Sequence, residues 1–220
     1  MKALIILDNG HGIDTAGKRS PDGKLREYLY ARTVVKRLKP AFESIGYDVH
    51  ILVPEDKDIS LSTRVARADA VYLQNKKYYD TILLLSIHCN AAPGDGWSNA
   101  RGWAAYTSIG KTESDKICRR LYDAAEVYLD TYIKNFKSPE KAQRPIRSTS
   151  DESKGHEANF TIIKNTKCPA VLTENLFQNN REDVAFLLSE EGMKAIVNLH
   201  VAGVMAYVES LQLIPPIKTA

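Results

Sequence analysis

Residues 81–90 read TILLLSIHCN, and this stretch decides the fold. Residues 81–88 are almost uninterrupted apolar sequence, which predicts a central strand covered by helices on both faces. The run ends in His88, Cys89 and Asn90, and strand alternation places His88 and Asn90 on one side and Cys89 on the other. In open α/β sheets, functional sites lie at the carboxyl ends of strands. We therefore expect His88 to lie at the sheet edge where a site would form.

Apolar runs alternate with helical patterns on both sides of this strand. They predict one α/β domain over residues 1–211, built on a mixed sheet of about six strands with helices on both faces, and a C-terminal tail at 212–220. Pro40 should kink or interrupt the first helix. The predicted strands are 3–7, 47–53, 81–88, 102–107, 160–163 and 170–174, and the predicted helices are 25–45, 60–76, 111–136, 182–188 and 192–211.

Charge and cysteine content exclude several classes of protein. The chain of 220 residues has 30 basic and 27 acidic side chains, and its formal net charge of +3 disfavours a nucleic-acid binder. Its three cysteines are too few and odd in number for a disulfide framework, so we expect Cys89, Cys118 and Cys168 to be small buried side chains. No stretch is apolar enough to span a membrane, and the apolar run near Met1 is too short for a signal peptide. These features predict a monomer that is synthesised in the cytoplasm and is not inserted into a membrane.

Residues 137–159 differ from the rest of the chain in composition. They are polar and charged, with almost no large apolar side chain. Connections of this length inside a compact domain are uncommon and are often functional. Few apolar side chains are available to offset the entropy of ordering. We therefore expect a mobile element that covers a cleft and does not belong to the core.

Ionisable side chains follow several of the predicted strands. His11 lies in the run LDNGHG at residues 7–12, directly after the first strand, and its glycines allow a tight turn. Glu27 lies near the start of the first helix, from where its side chain can face the end of that strand. Glu174 ends the apolar run at residues 169–173. A carboxylate in that position is costly unless it is paired, binds a metal or faces a cleft.

These residues have the chemistry of a metal site. Two imidazoles and one carboxylate form a common catalytic zinc shell, with the fourth position open to water. The same ligand set also binds non-haem iron, so the residue types alone do not identify the metal. The chain lacks the His-Glu-x-x-His helix of many zinc peptidases. Each histidine could equally cap a turn or bind a backbone carbonyl, and the residues alone do not decide between the two interpretations.

Four motifs in order resemble the N-acetylmuramoyl-L-alanine amidase family with the type-3 catalytic domain. They are LDNGHG at 7–12, Glu27, SIHCNA at 86–91 and PAVLTE at 169–174, and the resemblance extends to about Leu211. Leu61 and Arg64 in the second helix, and NLFQNN at 175–180, also fit the family. The resemblance implies an α/β fold and a Zn²⁺ ion bound by His11, Glu27 and His88, with Glu174 as the catalytic base.

The resemblance also implies a substrate. The bond would be the amide between N-acetylmuramic acid and the L-alanine of peptidoglycan stem peptides. The protein would act on the cell wall after release from the cytoplasm, as an endolysin or an autolysin, or would recycle wall fragments inside the cell. Another zinc amidohydrolase or a carboxypeptidase-like peptidase that cuts free peptides is the alternative. A non-catalytic wall-binding relative is disfavoured because Glu174 is present.

The chain departs from the family pattern at several positions. Asn9 replaces a proline, Cys89 replaces a small alanine, and Asn175 with Leu176 replaces a small hydroxyl residue and glycine. Residues 143–159 match no family version. These changes affect the shape of the cleft more than the metal ligands.

Further polar residues are candidates for lesser roles. We expect Asn90 and His156 to contact the substrate, since Asn90 ends the central strand and His156 lies in the polar segment. His50 and His200 are expected to lie on the surface or to have their hydrogen bonds satisfied within the fold.

Overall fold

A six-stranded mixed sheet with helices on both faces forms the protein, as the sequence predicts. The computed structural model describes residues 1–137 and 143–212. The sheet order is β2-β1-β3-β6-β4-β5, and only the β4–β6 pair is antiparallel. The strands are β1 (Ala3–Asn9), β2 (Asp48–Ile51), β3 (Thr81–Asn90), β4 (Ala104–Thr107), β5 (His156–Glu157) and β6 (Ala170–Phe177). The helices are α1 (Glu27–Ser44), α2 (Leu61–Asn75), α3 (Glu113–Tyr128), α4 (Asp130–Lys134), α5 (Thr161–Asn165), α6 (Arg181–Leu188) and α7 (Glu190–Gln212).

Strand β3 supplies side chains to the core on both faces of the sheet. Leu83, Leu85 and Ile87 belong to the larger core, which is packed by α1, α3 and α7. Ile82 and Leu84 belong to the smaller core, beneath α2 and α5. Because β1 and β6 flank β3 in parallel, the carboxyl ends of all three strands lie at one edge.

Three predicted elements differ in the structure. Residues 160–163 are not a strand, since Phe160 precedes the short helix α5, and four apolar residues in a row do not distinguish the two. The helix predicted at 111–136 is two helices, α3 and α4, separated at Leu129. Pro40 does not interrupt α1, which continues to Ser44 with Pro40 near its end.

The described part of the polar segment is tied to the sheet. The backbone of Trp103 exchanges hydrogen bonds with Pro145 and Arg147, and β5 pairs with β4. Residues 143–159 therefore form backbone hydrogen bonds to the sheet although their apolar side chains are few, and their mobility stays a prediction. Residues 138–142, and residues 213–220 of the predicted tail, lie outside the described residues. Within the described ranges, no helix is both long and apolar enough to cross a membrane.

A buried carboxylate joins β6, α4 and the segment before β4. The Asp183 side chain is fully buried and accepts hydrogen bonds from the Tyr132 hydroxyl at 2.7 Å and the Arg101 guanidinium at 3.3 Å. It also accepts from the backbone N–H groups of Phe177 and Gly102, at 3.0 and 3.2 Å. Burial raises the pKa of Asp183, but these donors oppose that shift. The carboxylate therefore connects three parts of the chain through one buried group.

Asp183→Ala should lower the free energy of unfolding by about 3–5 kcal/mol, because it leaves the buried Arg101 without its buried partner. Urea denaturation measures the loss. The matched control is Glu190→Ala, which removes an exposed pair with Arg37 and should have a much smaller effect. Equal losses of stability from the two substitutions would contradict the role of Asp183 as a buried connecting group.

Candidate metal centre

Two histidines and a glutamate converge at the carboxyl edge of the sheet. His11 follows the end of β1, His88 lies near the end of β3, and Glu27 is the first residue of α1. The Oε1 atom of Glu27 lies 3.0 Å from His88 Nδ1 and 3.4 Å from His11 Nε2. The imidazole rings meet edge to face, with centroids 4.9 Å apart. The structure thus brings together the three side chains that the sequence proposes as ligands.

Glu27 is the most buried member of this trio, with 1% of its surface exposed. Its Oε1 atom also accepts a hydrogen bond from the backbone N–H of Cys89 at 3.1 Å. Burial would raise the pKa of Glu27, but hydrogen bonds from His11 and His88 hold it well below its usual value. The carboxylate is therefore ionised inside the protein.

The donor set fits a divalent metal ion. One candidate ligand atom from each of the three side chains can be chosen so that all lie within 4.8 Å of one another. Ligand atoms about 2.0–2.1 Å from a tetrahedral zinc ion are roughly 3.3 Å apart, close to the two separations from Glu27 Oε1. The Oε2 atom of Glu27 is buried and accepts no hydrogen bond from the described residues. A cation at the centre of the trio would compensate that buried carboxylate.

Glu174 lies beside the trio and is not part of it. It is the partner of His88 in the β3–β6 register, and its side chain lines the same cleft as the trio. Burial raises the pKa of Glu174 to about 7, against the opposing effect of His88. Its Oε2 atom has no hydrogen-bond partner among the described residues. Glu174 thus presents a carboxyl group to the cleft that is not held in an ion pair.

The cleft has a volume of about 420 Å³ and combines the ionisable groups with an apolar wall. Asn90 lines it, in the position that the sequence suggests for substrate contact. Sequence reasoning missed Lys18 and the apolar side chains of Leu61, Phe160, Ile162 and Leu172, all of which also line it. Lys18 lies in the segment between His11 and Glu27, a position that could have identified it. The apolar residues carry no such signal, since their periodicity resembles that of core residues.

The remaining histidines lie away from the ligand trio. His156 Nε2 is 2.8 Å from the carbonyl oxygen of Arg147, and its ring stacks on Tyr106, with centroids 5.2 Å apart. His156 is not among the residues that line the cleft. His50 is exposed. His200 is fully buried, and its nitrogens meet the Thr173 hydroxyl at 2.9 Å and the Ile196 carbonyl at 2.7 Å, which confirms that it is satisfied within the fold.

Asn9 and Asn175, which the sequence analysis singles out, form side-chain hydrogen bonds near the ends of β1 and β3. The side chain of Asn9 donates to the carbonyl oxygen of Val53 at 3.0 Å. The side chain of Asn175 donates to the carbonyl oxygen of His88 at 3.0 Å and accepts from the Trp103 indole at 3.0 Å. Both side chains therefore support the backbone next to a candidate ligand. The three cysteines are free and buried, as predicted.

Comparisons with known proteins agree on one family. The family model described as N-acetylmuramoyl-L-alanine amidase matches residues 5–206. An endolysin of Bacillus phage SPP1 is 26% identical over 206 residues, covering 93% of this chain and 65% of the endolysin. The amidase AmiC of Neisseria meningitidis is 23% identical over 234 residues, covering 95% of this chain and 53% of AmiC. The chain thus spans less than two thirds of the length of these relatives.

Solved structures share the fold. An N-acetylmuramoyl-L-alanine amidase from Clostridium difficile 630 superposes with a TM-score of 0.75 at 20% identity, covering 95% of this chain and 98% of that chain. The catalytic domain of CwlV from Bacillus (Paenibacillus) polymyxa gives a TM-score of 0.71 at 18% identity, with coverage of 95% and 99%. At these identities the likeness supports the architecture alone.

Gly10 makes room for the His88 ring, because a Cβ atom at this position would overlap three atoms of the imidazole. Gly10→Ala should therefore displace His88 and weaken binding of a divalent metal by roughly tenfold or more, while the fold is retained. Isothermal titration measures the affinity, and circular dichroism checks the fold. Gly96→Ala is the control, since its Cβ would meet nothing within 4 Å. Wild-type affinity in Gly10→Ala would show that His88 does not bind the ion.

Proposed function

The chain belongs to the N-acetylmuramoyl-L-alanine amidase family, and we propose that it is a zinc-dependent hydrolase of peptidoglycan. The bond cleaved is the amide between N-acetylmuramic acid and the L-alanine of the stem peptide. The observation that carries the proposal is the His11–Glu27–His88 trio, with Glu174 beside it in one cleft. The same donor set would serve a peptidase, and family membership favours the muramoyl amide.

Zinc is the ion that this donor set and family favour. His11, Glu27 and His88 would hold it through two imidazole nitrogens and one carboxylate, and the three ligands leave a position open. When bound, zinc supplies Lewis acidity that polarises a substrate carbonyl and activates water. Cys89, although adjacent to His88, is buried in the core and contributes only its backbone N–H to the Glu27 carboxylate.

Glu174 is the general base in this proposal. Its carboxylate takes a proton from the attacking water and returns it to the nitrogen of the leaving amine, which is a poor leaving group until it is protonated. The location of Glu174 in the cleft, outside the ligand trio, leaves it available for both transfers. Its raised pKa of about 7 also suits a group that must accept and then release a proton.

The apolar wall and the polar edge of the cleft suit the two parts of this substrate. Leu61, Phe160 and Ile162 present an apolar surface that fits the methyl groups of the lactyl and alanyl units. Asn90 offers both a donor and an acceptor for amide or sugar groups.

Lys18 gives the cleft a cationic group. Among the described residues that line the cleft, it alone is a lysine or arginine, and its ammonium group forms no ion pair with them. Its backbone carbonyl accepts a hydrogen bond from the N–H of Glu27 at 3.0 Å. This bond fixes the segment between His11 and Glu27 against the start of α1. We propose that Lys18 binds a carboxylate of the stem peptide beyond L-alanine.

Glu174→Gln should bind zinc normally and lose activity by about 10²- to 10⁴-fold, because the amide cannot accept the proton. The assay digests purified peptidoglycan and follows by mass spectrometry the release of peptides with a free N-terminal L-alanine. Zinc content and melting temperature are measured on the same sample. Loss of zinc would make Glu174 a ligand, and loss of thermal stability with normal turnover would make it structural. A wild-type digest without such peptides would contradict the proposed function itself.

Lys18→Gln should raise KM for a muramoyl-L-alanyl dipeptide with a free C-terminal carboxylate by roughly five- to tenfold, because a charge-assisted hydrogen bond is lost. The same dipeptide with a C-terminal carboxamide should be cleaved equally by variant and wild type. Lys24→Gln is the control, since Lys24 is exposed and pairs with Asp22 in the same segment. Equal KM changes for both dipeptides would assign Lys18 a role unrelated to the carboxylate.

A further inference from the structure

His11 has a backbone conformation that side chains rarely adopt. Its φ angle is +59°, in the left-handed region that favours glycine. The glycines at positions 10 and 12 flank it, yet the residue at the strained position carries an imidazole. Such conformations persist only where the surroundings over-determine them, and they cluster at functional sites. Contacts around His11 must therefore hold this conformation.

Two guanidinium groups converge on the backbone carbonyl of His11. Arg32 Nη1 donates to this oxygen at 3.1 Å, and Arg64 Nη2 donates to it at 3.2 Å. Arg32 comes from α1 and Arg64 from α2, so the two helices hold one peptide group between them. Both side chains are buried. We call this arrangement the arginine clamp.

Arg64 is fixed by further contacts on the side of β1. Its guanidinium bonds the Asp8 carboxylate at 2.6 Å, the Asn9 carbonyl at 2.8 Å and the Asp58 carboxylate at 2.9 Å. Its Nε atom donates to the carbonyl of Ile59 at 2.8 Å. Every nitrogen of this guanidinium is therefore held, and its position relative to His11 is rigid.

Arg32 is also held by several backbone carbonyl groups. It donates to the Glu55 carbonyl from Nε at 3.2 Å and from Nη2 at 2.6 Å, and to the Tyr28 carbonyl at 3.1 Å. Its positive charge lies close to that of Arg64, and burial together with this neighbouring charge lowers the pKa of Arg32. Carboxylates offset the repulsion, since Asp8 and Asp58 pair with Arg64 and Asp56 lies 3.7 Å from Arg32 Nε.

We propose that Arg32 and Arg64 are positioning residues that lock His11 in the left-handed conformation, so that its Nε2 atom faces Glu27 and the metal site is preorganised. The inference rests on the proposed metal centre. The clamp binds the backbone carbonyl of His11 and leaves the imidazole free to bind the metal ion. Outer contacts that orient a metal ligand commonly contribute 10- to 100-fold in affinity.

Arg32 is the better residue to test, because Arg64 also forms a buried ion pair with Asp8, the loss of which would affect folding. Arg32→Gln removes the second guanidinium from His11, and Arg32→Lys retains the charge with a single nitrogen. The matched control is Arg67→Gln. Arg67 pairs with the Glu55 carboxylate and donates to the Leu52 carbonyl, and neither contact involves His11.

The experiment titrates metal-free protein with cobalt(II) and follows the visible absorption of the bound ion. Arg32→Gln should bind cobalt roughly 10- to 100-fold more weakly than wild type, Arg32→Lys should recover part of the loss, and Arg67→Gln should match wild type. In NMR spectra of the cobalt protein, the paramagnetically shifted imidazole signals of His11 should move in Arg32→Gln more than those of His88. A general structural role for Arg32 would move the signals of both imidazole rings to a similar extent.

Wild-type cobalt affinity and unmoved His11 signals in Arg32→Gln would overturn the clamp and leave the proposed function standing. Equal weakening in Arg67→Gln would also overturn it, since the effect would then be general loosening. If Arg32→Gln fails to fold, Arg32→Lys carries the test: its cobalt affinity should still lie below that of wild type, and wild-type affinity with unmoved His11 signals would overturn the clamp. Wild-type protein that binds no cobalt would overturn the metal centre and the clamp together.

Discussion

A carboxylate buried between two imidazoles is the interaction on which the rest of this structure depends. Glu27 is almost inaccessible to solvent and contacts both His11 and His88 through one oxygen. Burial of an ionised carboxylate is costly unless charge and hydrogen bonds compensate it. Compensation here requires that the ends of β1 and β3 and the start of α1 meet at one point. The parallel pairing of β1 with β3, and the packing of α1 against the larger core, provide that meeting point.

The residues around the trio form hydrogen bonds with the backbone of the candidate ligands and of their neighbours. Asn175 donates to the carbonyl of His88, and Asn9 ties the end of β1 to Val53. The arginine clamp does the same for His11. Asn9, Asn175 and the two arginines therefore support the backbone around the three candidate donors. A site supported in this way can be rigid before any ion enters, which is the condition for tight and specific binding.

Local patterns in the sequence predict the sheet, whereas the resemblance to the amidase family identifies His11, Glu27 and His88 as the ligands. The apolar run of β3 identifies a central strand, and strand ends place His11 and His88 at one edge. The short helix α5 could not be predicted, because the four residues from Phe160 have no distinctive period. The backbone pairing of residues 143–159 with β4 and Trp103 could not be predicted, because composition does not reveal it. The clamp was beyond sequence reasoning altogether, since it is formed by contacts between residues far apart in the chain.

We propose that one zinc ion lies between His11, Glu27 and His88. X-ray diffraction from crystals grown with zinc, with data collected on both sides of the zinc absorption edge, tests it most directly. We expect one strong anomalous peak within bonding distance of His11 Nε2, the Glu27 carboxylate and His88 Nδ1, with Glu174 outside the coordination shell. A peak bound by other residues, or none at the trio in fully zinc-loaded protein, would show that the proposed metal centre is wrong.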